Sequence, residues 1–220
     1  MNKSVCIATY NGSKFITKQL NSVLSQLGND DEIIVVDDCS KDDTVKVIQA
    51  FHDPRIKLHR NLQNIKHVKS FAKAISLAQH ELIFLCDQDD IWVEGRIEVF
   101  EECFRKFPDV KVVTSNFFTI DDQDLEIANT LRKVSFKDSK NFHSNIYSII
   151  KGNIGYFGCA MAFKKEIVPI ILPIPTNVEA HDLWLAMAGN LLKSNLHIDH
   201  ETLYHRIHPS NASNISTHWI

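Results

Sequence analysis

The chain is poor in glycine, with seven in 220 residues, and it has neither a G-x-x-x-x-G-K-[ST] nor a G-x-G-x-x-G run. Backbone cradles for phosphate of the P-loop and dinucleotide-binding kinds are therefore not expected, and a bound phosphate must be held by side chains and metal. The five cysteines (Cys6, Cys39, Cys86, Cys103, Cys159) form no C-x-x-C pair. Three fall in or just after apolar strand-like runs, where cysteine behaves as a small hydrophobe, and a reducing, cytoplasmic setting fits. Positive charge is not in excess: 24 Lys and Arg stand against 27 Asp and Glu, a net charge of −3. Such a balance gives no broad field for a nucleic-acid backbone, so no nucleic-acid partner is expected. Long apolar runs are also missing. None approaches the roughly 18 residues of a membrane span, and MNKSVCIATYNG is too short in apolar residues for a secretory signal. A peripheral contact at the inner face of the cell membrane stays open, because the Lys-rich segment Lys66–Lys73 is suited to lipid headgroups; a solvated helix face explains the same run more simply.

What is present is enough apolar material for a core: 44% hydrophobic and 23% charged residues, consistent with one domain over 1–220. Val5–Ala8, Ile33–Val36, Ile56–Leu58 and Leu82–Cys86 read as strands. Ile16, Leu20, Val23, Leu24 and Leu27 recur at helical spacing, as do Val68, Phe71, Ala72 and Ile75. Apolar strands alternating with amphipathic helices predict an α/β fold whose parallel sheet is covered on both faces. Ligands then bind beyond the strand C-termini. The second half is less regular. Strands are expected at Val110–Ser115 and Tyr156–Phe163, a polar stretch at Thr119–Asp124, a loop at Arg132–Lys140, and, after Pro169, Pro173 and Pro175, a helix with Trp184, Met187, Ala188 and Leu191 on its apolar face.

The residues after the strands carry the chemistry. Asp87 and Asp89 flank one residue directly after an apolar run. Two carboxylates about 4 Å apart repel by on the order of 4 kcal/mol at an effective dielectric near 20, which a divalent cation reverses. Hard oxygen ligands suit Mg²⁺ or Mn²⁺. The competing reading is an acidic turn capping a helix that starts near Val93. In the run Asp37 to Thr44, Ser40 and Asp43 are spaced as a capping box, which leaves Asp37 and Asp38 free to accept from a base N–H or a ribose hydroxyl. His181-Asp182 opens an apolar helix, where Asp182 is either a general base or an N-cap. His205, Arg206 and His208 are of the types that a diphosphate and its metal recruit, although a histidine there is more often structural.

Together, Ala8-Thr9-Tyr10-Asn11-Gly12, Val36-Asp37-Asp38-Cys39-Ser40, Cys86-Asp87-Gln88-Asp89-Asp90-Ile91-Trp92, Gly158-Cys159-Ala160-Met161, His181-Asp182-Leu183-Trp184 and Arg206-Ile207-His208-Pro209-Ser210-Asn211 resemble glycosyltransferase family 2, with rhamnosyltransferase-like bacterial members the nearest in pattern. The resemblance implies a GT-A (nucleotide-diphospho-sugar transferase) fold, with a Rossmann-like, mostly parallel central sheet flanked by helices. Residues 1–116 would bind the nucleotide sugar and 117–220 the acceptor. It further implies that Ala8 and Tyr10 line the nucleobase pocket, Asp38 binds the pyrimidine, and Lys69 and Arg206 lie near the diphosphate. Asp87 would reach ribose or metal, Asp89 and His208 the metal, and Asp182 would be the catalytic base. The reaction implied is inverting transfer from a UDP- or TDP-sugar to a glycan or lipid-linked acceptor in bacterial surface polysaccharide synthesis, with Mn²⁺ or Mg²⁺ as cofactor.

The chain departs from that pattern at Lys66, where relatives often carry glycine, and at Leu183, where they carry tryptophan. It also stops soon after Asn211, reading as a short member or a piece of a longer protein. Two alternatives stay open: a haloacid-dehalogenase-type phosphatase, in which D-x-D holds a nucleophile but normally closes the first strand, and a non-catalytic sugar-nucleotide-binding module, which needs no base at Asp182.

Overall fold

The computed structural model describes residues 1–153, 155–209 and 211. Ser210 of the C-terminal motif lies outside them. The first four strands form where expected: β1 Lys3–Thr9, β2 Glu32–Asp37, β3 Ile56–Arg60 and β4 Leu82–Cys86. They pair in parallel in the order β3-β2-β1-β4. Between them run α1 (Ile16–Leu24), α2 (Thr44–Gln49) and α3 (His67–Leu77).

Strand periodicity sorts the core into two layers. Val5, Ile7, Ile33, Val35, Leu82 and Phe84 point to one face, where Ile16, Leu20 and Val23 of α1 cover them. The alternate residues Cys6, Ile34, Val36, Ile83 and Leu85 pack against Phe71, Ala74 and Ile75 of α3 on the other. A side-chain period of two gives each strand residues for both layers, so the strands read as continuous apolar runs. On α3 the buried stripe is Ser70, Phe71, Ala74 and Ile75. Val68 and Ala72, expected on that stripe, are only half-buried at its side.

The second half departs further from expectation. The remaining strands are β5 (Ile91–Trp92), β6 (Val112–Ile120), β7 (Glu126–Ile127), β8 (Met161–Lys164) and β9 (Asn195–Arg206); the helices are α4 (Arg96–Lys106), α5 (Phe142–Ile150), α6 (Val168–Ile171) and α7 (His181–Leu191). The sheet continues β4-β8-β6-β9-β5, with β7 paired on β6. Strand β8 is antiparallel to both β4 and β6, so the sheet is mixed. β6 runs through Thr119–Ile120, which were expected outside it, and a division of the chain at 116 falls within this strand. Of the Tyr156–Phe163 run only Met161–Phe163 is strand; Gly158–Ala160 is a 3-10 turn. On α7 the buried face is Leu185, Ala186, Ala188, Gly189 and Asn190, while Leu191 is exposed. The helix is apolar around most of its circumference, so composition did not mark its inner face.

Strand β9 and helix α5 were not anticipated. Much of what β9 buries is polar: Asn195, His197, Thr202, His205 and Arg206. Part of this polar content is bonded internally, while Asn195 Oδ1 and His205 Nε2 find no hydrogen-bond partner among the described residues. Tyr156 Oη donates to His197 Nε2 at 2.7 Å and accepts from Asn190 and Asn195 at 3.1 and 3.0 Å. The Ser135 carbonyl, 3.2 Å from His197 Nδ1, can only accept, which puts the imidazole proton on Nδ1.

Candidate active site

Three loops leave the sheet side by side at the C-terminal edge of the parallel strands. Thr9 pairs with Asp37 and Ile7 with Cys86, so Ala8 and Tyr10, Asp38, and Asp87 emerge together. The first two loops are stitched to each other. Asn11 N–H donates to Ser40 Oγ at 2.9 Å and Gly12 N–H to Thr44 Oγ1 at 2.8 Å. The expected capping box does not form: neither Ser40 nor Asp43 caps α2, and Asp42 Oδ1 instead accepts from the Thr44 amide at 3.0 Å.

Gln88 ties the third loop to the first. Its Oε1 accepts from Tyr10 N–H at 2.9 Å and its Nε2 donates to the Tyr10 carbonyl at 3.3 Å, as a neighbouring strand would. A Cβ on Gly12 would fall 2.2 Å from Gln88 Oε1, so the bridge needs glycine there. Tyr10 itself remains exposed. Nothing in the residue type of Gln88 marked this role.

Asp38 is 3% exposed. Its Oδ1 accepts from Asn61 Nδ2 (2.9 Å) and Ile65 N–H (2.8 Å), and its Oδ2 from Lys66 N–H (2.8 Å). One acceptor position on Oδ2 is left for an imino N–H of a base. The same carboxylate holds Lys66 at φ 73°, ψ 162°, a conformation nearly confined to glycine that costs a side-chain-bearing residue about 1–3 kcal/mol. Lys69 is exposed and lines a groove between the start of α3 and residues 174–179, not the acidic cluster.

The acidic run does not cap a helix. α4 begins at Arg96, after Gly95 in the left-handed region, and has no side-chain cap. Instead residues 87–90 turn from β4 into β5, which pairs with β9, and this brings them against the end of β9. Asp90 is 1% exposed; its Oδ1 accepts from Arg206 N–H at 2.9 Å and lies 3.0 Å from His205 Nδ1. Burial opposes ionisation of Asp90, yet the charge and hydrogen bond of His205 hold its carboxyl below the usual range. Burial would likewise depress His205, but Asp90, with Asp87 and Asp89, raises it to about 9. Asp89 Oδ2 lies 2.9 Å from His208 Nε2.

Arg206, expected near the diphosphate, is fully buried. Its guanidinium donates to the carbonyls of Asp89 (2.7 Å) and Asp121 (2.6 Å), pairs with Asp124 Oδ1 at 2.6 Å and stacks over Phe15. The five N–H donors are turned inward, which makes Arg206 a brace for the acidic loop.

Asp87 is the half-buried member, and among the described residues no hydrogen bond reaches its carboxylate. Burial, then the charges of Asp90 and Asp89, push its carboxyl well above the usual value. A carboxylate with no donor beside two others is a position that a divalent cation stabilises. Among the described residues, one group of potential ligand atoms includes it. Asp87, Asp90, Cys159 and His205 have ligand atoms within 4.8 Å of one another, but the last three are buried, His205 is held protonated, and burial keeps Cys159 a thiol. That set suits a hard cation poorly. Asp89 and His208, in contact at 2.9 Å and outside that group, supply a carboxylate and an imidazole, ligand types that Mn²⁺ or Mg²⁺ accepts.

Asp182 lies in the first turn of α7, whose N-cap is Ala180. It is therefore not the N-cap. Its Oδ1 accepts from Leu183 N–H at 2.8 Å and its Oδ2 from Gly158 N–H at 3.2 Å. Its charge acts on Asp87. The next residue, Cys159, has its sulfur 3.7 Å from His205 Nδ1, so Gly158-Cys159 links the carboxylate of α7 to the ion pair beneath the acidic loop. His181 stacks on Phe71 with ring centroids 4.0 Å apart, and a Cβ on Gly158 would approach its Nε2 to 2.8 Å. Burial lowers this imidazole to about 4. The sequence placed Gly158 and Cys159 in a motif without giving them a task.

A mixed sheet of this order, with an acidic run closing the fourth strand and a carboxylate at a helix mouth beside it, is a GT-A arrangement. The chain belongs to glycosyl transferase family 2, whose model matches residues 4–169. That membership displaces the phosphatase alternative. The chain is 28% identical over 180 residues to an uncharacterized glycosyltransferase of Nostoc sp., covering 79% of this chain and 54% of that one. It is 32% identical over 96 residues to the Escherichia coli UDP-Glc:alpha-D-GlcNAc-diphosphoundecaprenol beta-1,3-glucosyltransferase WfgD, covering 44% of this chain and 38% of that one. The chain thus spans about half or less of these relatives' lengths. In fold it is similar to S. aureus TarS 1-349 in complex with UDP-GlcNAc, at a TM-score of 0.76 and 19% identity, over 100% of this chain and 62% of that one.

Proposed function

We propose that the protein is an inverting glycosyltransferase that moves a sugar from a UDP- or TDP-linked donor to a lipid-linked saccharide acceptor of a bacterial surface polysaccharide. The observation that carries this reading is the approach of Asp182 to the Asp87–Asp90 run, bringing a base and an acidic metal-type site to one edge of the sheet. The relative whose name states a diphosphoundecaprenol-linked acceptor supports the acceptor class.

In this reading Ala8 and Tyr10 line the nucleobase site, and the free acceptor position of Asp38 takes a base N–H. Asp87, Asp89 and His208 would hold Mn²⁺ or Mg²⁺, which would supply positive charge against the charge that grows on the departing diphosphate. Asp182, steadied by the Gly158 amide, takes the proton from the acceptor hydroxyl as its oxygen attacks the anomeric carbon from the face opposite the diphosphate. Strands β1–β4 serve the donor, and the elements after 117 the acceptor. No helix among the described residues is long and apolar enough to cross a membrane; with a lipid-linked acceptor, we place the protein in the cytoplasm with a peripheral contact at the inner membrane face.

A screen of donor hydrolysis across several UDP- and TDP-sugars, with and without Mn²⁺, tests the reading. Metal-dependent release of UDP or TDP from one donor supports it. Tight nucleotide-sugar binding with no release in the presence of any acceptor would make the protein a binding module.

A further inference from the structure

The groove that Lys69 lines has a volume of about 340 Å³ and runs between the start of α3 and residues 174–179. This is near the lower end of ligand-sized cavities, roughly 300–1,000 Å³. Its apolar wall includes Val68 and Ala72 of α3 and, across from them, Ile174 and Val178. Val68 and Ala72 belong to the helical apolar pattern but lie beside the buried stripe, so the helix presents apolar surface to the groove in addition to what it gives the core. Lys66 and Lys69 also line it, with Glu179 as the one carboxylate among the lining side chains. The groove opens close to the base. His67 lines it, and the His67 ring is 6.0 Å from that of His181, the residue before Asp182.

Lys66 is a second, independent pointer. Its backbone conformation, φ 73° and ψ 162°, is one that glycine adopts freely and a side-chain-bearing residue only at a cost. A lysine at that position gives up stability and gains an ammonium on the groove wall. We propose that the groove is the subsite for the diphosphate-lipid linker of the acceptor, with Lys66 and Lys69 on the diphosphate and Val68, Ala72, Ile174 and Val178 around the first carbons of the lipid. This rests on the lipid-linked acceptor proposed above. A nucleotide sugar also carries a diphosphate, but it has no aliphatic chain to use the apolar wall, so the groove's composition favours the acceptor. The size admits the linker and a short apolar stretch, leaving the rest of the lipid in the membrane.

The test is calorimetry of the full chain with geranyl diphosphate, a soluble probe that joins a diphosphate to ten carbons. Expected are saturable binding, at least tenfold weaker binding of inorganic pyrophosphate and of geraniol, and no competition by UDP with Mn²⁺. Val178→Asp should weaken geranyl diphosphate binding tenfold or more while the circular dichroism spectrum is unchanged. Lys66→Gly keeps the amide that Asp38 holds; it should weaken the probe several-fold and raise the melting temperature, which a merely structural lysine would not do together. No binding of geranyl diphosphate overturns the proposal, as does displacement by UDP, which would assign the groove to the donor. Because the probe needs no transfer reaction, these outcomes are separate from the donor-hydrolysis result: the groove can fail with the transferase reading intact, and the reverse.

Discussion

Asp89 Oδ2 lies 2.9 Å from His208 Nε2, joining the turn after β4 to the segment after β9, 119 positions later. If the two share a metal, their substitutions are not independent. Asp89→Ala and His208→Ala should each weaken Mn²⁺-supported UDP binding by at least tenfold, and the double variant should cost little beyond the worse single one. Additive losses in a calorimetric double-mutant cycle would mean that the residues act separately.

Asp182 is held by backbone amides through both oxygens, and Asn at 182 keeps one carbonyl oxygen to accept from them. Asp182→Asn should therefore reduce transfer by about 10²–10⁴-fold, the usual contribution of a general base, and leave donor affinity within about twofold. Single-turnover kinetics alongside equilibrium binding separates the two. Equal loss of both would make Asp182 a structural residue.

Arg206 is predicted to support the loop and not the donor. Arg206→Lys loses the planar fork that reaches two carbonyls and a carboxylate, and should destabilise the fold by about 3 kcal/mol in urea unfolding. Nucleotide affinity of the folded protein should stay within about threefold. A large loss of affinity with unchanged stability would return Arg206 to the donor site.

Two histidines set opposite pH limbs. The folded protein holds His181 at about 4 against a usual 6.5. The unfolded chain binds the extra proton between those values, so this contribution is full above pH 6.5 and is lost as pH falls towards 4. His205, raised to about 9, contributes fully below pH 6.5 and loses that contribution as pH rises through 9. Each is worth up to about 3 kcal/mol. Unfolding free energy should peak near pH 6.5, and His205→Gln should flatten the decline between pH 7 and 9. An unchanged alkaline limb in that variant would contradict the His205–Asp90 ion pair.

The legible parts of this chain are those where one physical requirement fixes the residue type. β1, β2 and β4 are buried on both faces and read as apolar runs, and the rule that ligands collect beyond such strands pointed to Asp38, Asp87 and Asp89. β9 was hidden because it buries Asn195, His197, His205 and Arg206, whose hydrogen bonds come from distant segments that a single sequence does not align. The capping reading of Ser40 and Asp43 failed for a related reason: Ser40 is used by Asn11, 29 positions earlier. Gly12 and Gly158 matter through close approaches: a Cβ added at each would fall 2.2 Å from Gln88 Oε1 and 2.8 Å from His181 Nε2, and local pattern does not carry such contacts.

The most direct test of the account is a titration of UDP, and separately of TDP, into the protein with Mn²⁺ and then with EDTA. The account predicts saturable one-to-one binding of at least one nucleotide in Mn²⁺, lost in EDTA and lost in Asp89→Ala. Binding that is the same with EDTA and in Asp89→Ala, or no binding of either nucleotide, would contradict a metal-dependent nucleotide-sugar site at Asp87–Asp90.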